Sequence, residues 1–164
     1  MNTSHSSEER SRLEKASKQH LLVWGALTAS VLGYAAVAIL LVGSEPANPE
    51  AVEMYRTILG AVSLFTIFAG TFLRRKMLSS KKPLTPNPEA VFQRALSRYS
   101  LWSLVSWAAA ESAVIFGLVL FLWGGRLEDL LAFGGLSLVA LFYNKPSAEA
   151  LDDYIFAQKK LLKG

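Results

Sequence analysis

Residues 21–43 read LLVWGALTASVLGYAAVAILLVG, 23 residues without one charged side chain. As a helix rising ~1.5 Å per residue, this stretch reaches about 35 Å against a hydrocarbon core of roughly 30 Å. Lipid offers backbone N–H and C=O groups no partners, so so apolar a stretch must satisfy them within one helix. A secretory signal has an apolar core of roughly 7–15 residues. This stretch is longer, and 20 mostly polar residues with three Glu precede it. It reads as an uncleaved membrane span.

The same segregation continues outward. Residues 57–73 are free of charge between Arg56 on one side and Arg74, Arg75 and Lys76 on the other, whose stems can snorkel. Residues 99–125 carry one charge, Glu111. Residues 130–144 are charge-free but short; they reach span length if the helix opens at Leu127, which sets Glu128 and Asp129 at its positive dipole end. The expected fold is an all-α integral membrane protein, with four transmembrane helices in an antiparallel bundle and an amphipathic C-terminal helix. The spans fall at about 21–43, 56–74, 100–123 and 127–144, within a transmembrane domain 21–144 that separates a polar N-terminal segment 1–20 from a tail 145–164.

Charge sets the orientation. With the N-terminus inside, 15 of the 17 Lys and Arg lie on the cytoplasmic side, and only Arg56 and Arg126 lie outside, beside Glu45, Glu50, Glu53, Glu128 and Asp129. This is the positive-inside pattern, with both termini cytoplasmic in a multi-pass protein of the bacterial inner-membrane type. The +4 net charge is dispersed along juxtamembrane segments without base-stacking aromatics, so the expected partner is the lipid bilayer and not nucleic acid.

Between the spans, the Ser-rich first dozen residues read as disordered, with a helix starting near Ser7. Pro83, Pro86 and Pro88 interrupt the middle loop, and Asn87-Pro88-Glu89 restarts a helix expected to run to about Trp123. The pentapeptide NPEAV occurs at 48–52 and again at 87–91. It fits either reuse of good capping chemistry or an inverted repeat. After Pro146, Ser147 caps a last helix in which Leu151, Tyr154, Ile155, Leu161 and Leu162 share a face. That helix is expected to lie on the inner leaflet or to dock on a partner.

The chemistry is sparse. There is no Cys and only two His, His5 and His20, which removes disulfides, thiolate metal sites and thiol catalysis. With His5 in the polar N-terminal segment and His20 at a span edge, bis-histidine haem is not expected either. No catalytic set or phosphate loop is present, and no cofactor is expected. Trp24, Tyr34, Trp102, Trp107, Trp123 and Tyr143 read as interface anchors or packing groups. Glu111 is the exception, because an ionisable group near the bilayer midplane is costly, ~2.5–3.5 kcal/mol for a centred charge. No span supplies a cation for it. Matching depth brings Ser30, Ser63, Thr66 and the pair Gly134 and Gly135 level with Glu111, while Trp107, one turn earlier, is placed to donate its indole N–H. Small residues form two stripes suited to close helix packing. One is Gly25, Ala29 and Gly33; the other is Ala109, Ala113 and Gly117, on the opposite side of its helix from Glu111.

Residues 110–119, AESAVIFGLV, resemble the ion-binding outer helix of the ATP synthase rotor-ring proteolipid, the c subunit, in which a carboxylate precedes an aliphatic-aromatic-Gly-Leu-Val run. The resemblance implies that Glu111 is a proton- or sodium-binding carboxylate on a helix running outward from a basic cytoplasmic loop. Over the rest of the chain the pattern departs from it: the second span has only Gly60 and Gly70, and four spans replace a hairpin. Two functions are therefore expected. One is a non-enzymatic small subunit or assembly partner of a larger membrane complex or homo-oligomer. The other is a proton- or ion-coupled transport element that uses Glu111.

Overall fold

The computed structural model describes residues 6–41, 49–79, 83–124 and 126–162, and at 49–51 and 88–89 the backbone alone. The end of the first expected span at Val42 and Gly43, His5, Glu45, Asn48, Lys81, Lys82 and Lys163 lie outside the described residues, as do residues 1–5 of the twelve expected to be disordered; of the rest, residues 7–12 are helical, since the cap at Ser6 starts the helix there. Within them every regular element is a helix: α1 (Ser7–Leu41), α2 (Pro49–Leu78), α3 (Pro88–Gly124), α4 (Leu127–Tyr143) and α5 (Ala148–Lys160).

Local chemistry explains the boundaries. Ser6 and Glu9 form a reciprocal capping box in which Glu9 N donates to Ser6 Oγ at 3.2 Å and Ser6 N donates to Glu9 Oε2 at 3.1 Å. The cap is Ser6, with Ser7 the first helical residue. In both NPEAV copies the proline opens a helix, where its missing N–H leaves no hydrogen bond unmade. Glu128 and Asp129 occupy the first turn of α4, and Ser147 Oγ caps α5 by accepting from Ala150 N at 3.3 Å.

Helices α1, α2 and α3 are each long and apolar enough to cross a membrane. A fourth crossing meets the same test only when α4 is taken with α5, to which it is bent by 51°. At 17 residues, α4 alone extends about 26 Å.

The third helix is the hub. It packs most extensively on α2 and α4, and also meets α1 and α5. Its small residues permit the closest approaches. A Cβ on Gly117 would lie 2.7 Å from Phe133 Cβ and 3.2 Å from Leu130 Cα on α4, and one on Gly70 of α2 would lie 2.8 Å from Ala109 Cβ. Ala113, between these two contacts, is fully buried. The α3 stripe is thus a packing face within the chain. The α1 stripe is not used within the chain: Gly25 and Gly33 have open space where a Cβ would stand, and Ala29 and Gly33 are exposed. Instead α1 packs through a different face, formed by Trp24, Leu27, Val31, Tyr34 and Ala38.

Two apolar cores result. One joins the apolar stretches of α1, α3 and α4 around Trp107, Val114, Leu130 and Leu141, with Ile67 of α2 against it. The other joins the first turns of α1 and α3 to α5, around Ala16, Phe92, Tyr99, Leu151, Tyr154 and Ile155. The latter revises the expectation for the tail. The apolar face of α5 is covered by its own chain and not laid on lipid, because the long polar-flanked starts of α1 and α3 stand beside it and offer an apolar wall. Lys159 Nζ fastens α5 to α1 by bonding both Glu9 oxygens, at 2.8 and 2.9 Å. Of the apolar positions expected on that face, Leu161 is left exposed.

Candidate functional site

Glu111 faces α1. Its Oε1 accepts a hydrogen bond from Ser30 Oγ at 2.7 Å, and Ser30 Oγ lies an equal 2.7 Å from Leu27 O in the preceding turn. Ser30 is the one expected neighbour that bonds Glu111 among the described residues. Ser63 and Thr66 sit on α2, which packs against the opposite side of α3, where Val105, Ser106 and Ala109 surround Gly70. Their depth was legible in the sequence and their facing was not. Ser63 is fully buried and its Oγ has no hydrogen-bond partner among the described residues. Gly134 is buried, with Val31 and Val114 beside it, whereas Gly135 faces open space.

Trp107 does not bond Glu111. Side chains on a helix lean toward its N-terminus, so the indole covers the turn before Trp107, away from Glu111. Fully buried, it donates from Nε1 to Asn144 O at 2.8 Å. That carbonyl is at the C-cap of α4, where no intrahelical donor remains.

Asn144 is the centre of a polar cluster that the sequence reading missed. It is 2% exposed. Its Nδ2 donates to Thr71 Oγ1 at 3.2 Å and to Ala140 O at 2.9 Å, and its Oδ1 accepts from Arg74 Nη1 at 3.2 Å. Arg74 also reaches Tyr99, donating to its hydroxyl at 3.5 Å. Arg74 is therefore an internal cross-link between α2, α3 and α4 as well as a flanking positive charge. Trp24 Nε1 adds a bond to Leu141 O at 2.9 Å, closing the last turn of α4 onto α1.

His20, the residue just before the apolar stretch of α1, completes the cluster. Its Nε2 is 2.8 Å from Ser100 Oγ, and its ring lies 5.7 Å from Tyr99 and 6.0 Å from Trp107, centroid to centroid. Ser100 Oγ also lies 2.9 Å from Leu96 O, and when its one hydrogen is donated there, His20 Nε2 is the donor in the shared contact. Burial, reinforced by the positive charge of Arg74, holds the His20 pKa below its ordinary value.

A second unforeseen pair closes the far end. Arg56 of α2 grips Asp129 of α4 through Nε to Oδ1 at 2.7 Å and Nη2 to Oδ2 at 3.0 Å. Arg56 also pairs with Glu53 on its own helix. The Asp129 side chain is only 7% exposed, so this fork-to-carboxylate contact is largely shielded from water.

These clusters join helices; none brings a nucleophile, base and oxyanion donor together. Comparison with protein-family models, with curated proteins and with solved structures finds no match.

Proposed function

We propose that this chain is a non-enzymatic integral membrane protein of a cell membrane, a small subunit or assembly partner that packs through α1 against another membrane chain or a second copy of itself. In this reading α1 to α4 cross the bilayer in alternating directions with both termini cytoplasmic. Support for the alternation comes from contacts that set the start of one apolar stretch against the end of another: Val52 of α2 with Gly124 of α3, Trp107 of α3 with Asn144 at the end of α4, and Trp24 of α1 with Leu141 of α4. The placement of 15 of 17 basic residues supports the orientation. The Arg56–Asp129 pair lies toward one end of α4 and Arg75, bonded to the Tyr143 hydroxyl, toward the other, which suits a headgroup layer at each end.

One observation carries the interaction reading: Gly25, Ala29 and Gly33 stay uncovered, whereas the equivalent stripe on α3 is packed to the limit of contact. Helices associate in lipid through close backbone approach at small residues, since apolar burial gives little drive there. A photo-cross-linking side chain at Gly33, introduced at native expression, should give one defined adduct, and the same group at exposed Phe65 should not. Equal adduct patterns at the two positions would argue against this reading.

A second reading, proton- or ion-coupled transport at Glu111, is favoured by the hydrogen arithmetic at Ser30. One hydroxyl hydrogen faces two acceptors 2.7 Å away, the carboxylate and Leu27 O. Ser30 is thus shared between the carboxyl and the α1 backbone, and it brings no cation to Glu111 at this depth. This agrees with the role that the rotor-ring resemblance implies. Reconstitution with a pH-sensitive dye compares wild type and Glu111→Gln, and indistinguishable proton flux would sink the idea.

A further inference from the structure

A groove of about 410 Å³ opens between α2 and α4. Its walls are apolar and bulky, including Leu64, Phe68, Phe72 and Val139, all of them exposed. The rings of Phe68 and Phe72 stack with centroids 6.0 Å apart, forming one continuous wall. At the end nearest Asn144 the lining turns cationic and polar, with Arg75 and Tyr143. The guanidinium lies over the Tyr143 ring at 5.0 Å and bonds its hydroxyl. Among the described residues no carboxylate pairs with Arg75, so most of its five N–H donors are left for an anion. Lys76, also exposed, is its neighbour.

We propose that this groove holds an anionic phospholipid of the cytoplasmic leaflet, with an acyl chain against Leu64, Phe68 and Val139 and the phosphate at Arg75 and Tyr143. Length and charge both argue for this occupant. From Leu64 to Arg75 the groove runs about 17 Å along α2, on the order of half the ~30 Å hydrocarbon core, the depth of one leaflet. The walls lack the small residues that let two helix backbones approach most closely, and present large ones that a flexible acyl chain can lie between. The cation stands at headgroup depth on the side where anionic lipids concentrate. Tyr143 holds the guanidinium by stacking and by its hydroxyl, so little side-chain freedom is lost when a phosphate arrives.

The proposal rests on the membrane orientation given above, and its test separates the two. The full chain is placed in nanodiscs of equal phosphatidylglycerol and phosphatidylcholine with matched acyl chains, and retained lipids are weighed by native mass spectrometry. Recovery of the chain in the disc after a carbonate wash reads membrane insertion by itself. Wild type should retain phosphatidylglycerol over phosphatidylcholine. Arg75→Gln should lower that preference about five-fold, the equivalent of about 1 kcal/mol per surface cation at 1.36 kcal/mol per tenfold. Lys15→Gln removes the same charge from an exposed site on α1 and should leave the preference intact. Val139→Trp, which fills the groove, should reduce retention of both lipids. Equal retention of the two lipids by wild type would overturn the proposal, as would equal losses in Arg75→Gln and Lys15→Gln, or a second copy of the chain in place of lipid.

Discussion

Ser30 on α1 and Glu111 on α3 are joined by a 2.7 Å hydrogen bond, the polar tie between these two helices at the depth of the apolar core. Ser30→Ala should lower stability by about 0.5–1 kcal/mol, the usual value of such a bond in lipid. Glu111→Gln keeps an acceptor oxygen for Ser30 and should cost less than Glu111→Leu, which leaves the Ser30 hydroxyl only Leu27 O. Unfolding in mixed micelles would rank the three variants, and a Glu111→Leu protein as stable as Glu111→Gln would contradict the tie.

Asn144 should be far less replaceable. Asn144→Leu strips Arg74 and Thr71 of a shared partner in a buried place, where a lost charge-assisted bond is worth about 1.5–3 kcal/mol. Trp107→Phe removes only the bond to the Asn144 carbonyl, which a side-chain change at 144 leaves in place, and should cost about 1 kcal/mol beyond the lost ring area. Since Asn144 Oδ1 accepts from Arg74, an Arg74→Gln, Asn144→Leu double variant should lose less than the two single losses together. A strictly additive pair would show the residues to be independent.

The pH dependence follows from His20. Its folded pKa is depressed from 6.5, so the unfolded chain binds a proton over a range in which the folded chain does not. Stability is then full above about pH 6.5 and falls as the pH drops below it, until the folded imidazole also protonates. His20→Gln keeps a donor for Ser100 and should flatten that fall. An unchanged slope in the variant would assign the acid sensitivity to another group.

Gly117 and Gly33 should respond oppositely to an added methyl. Gly117→Ala forces a Cβ to within 2.7 Å of Phe133 Cβ, a clash between two packed helices that should cost about 1–3 kcal/mol. Gly33→Ala meets nothing within 4 Å and should leave isolated-chain stability unchanged or raise it by up to about 1 kcal/mol through helix propensity. Thermal unfolding of the two proteins in the same detergent would check the contrast.

Hydropathy and capping chemistry made the helices legible: the restart at Pro88 and the opening of α4 at Leu127 were both readable from residue type, as was a level match of Glu111 with Ser30. Facing was not legible. Counting residues from a span edge gives depth, and depth alone ranks Ser63 and Thr66 beside Ser30, although α2 lies across α3 from Glu111. Trp107 was aimed the wrong way because a one-turn spacing says nothing of the lean of helical side chains. Arg74 and Arg56 were hidden for another reason. A basic residue at a span end is explained by the headgroups, so nothing in the sequence separates one that snorkels from one that grips Asn144 or Asp129. The tail's apolar face was legible as a face, but its cover depended on how far α1 and α3 extend past the apolar stretches.

The central claim is that the open face of α1 seats another chain. The most direct test purifies the protein from its own membrane at native expression in mild detergent, as wild type and as Gly33→Leu, and measures the stoichiometry of what comes with it. Wild type should be recovered with one defined membrane chain, a second copy or another polypeptide, in fixed ratio. Gly33→Leu should lose that chain while keeping its own unfolding temperature. An isolated monomer in both preparations, or a partner held equally by both, would contradict the claim.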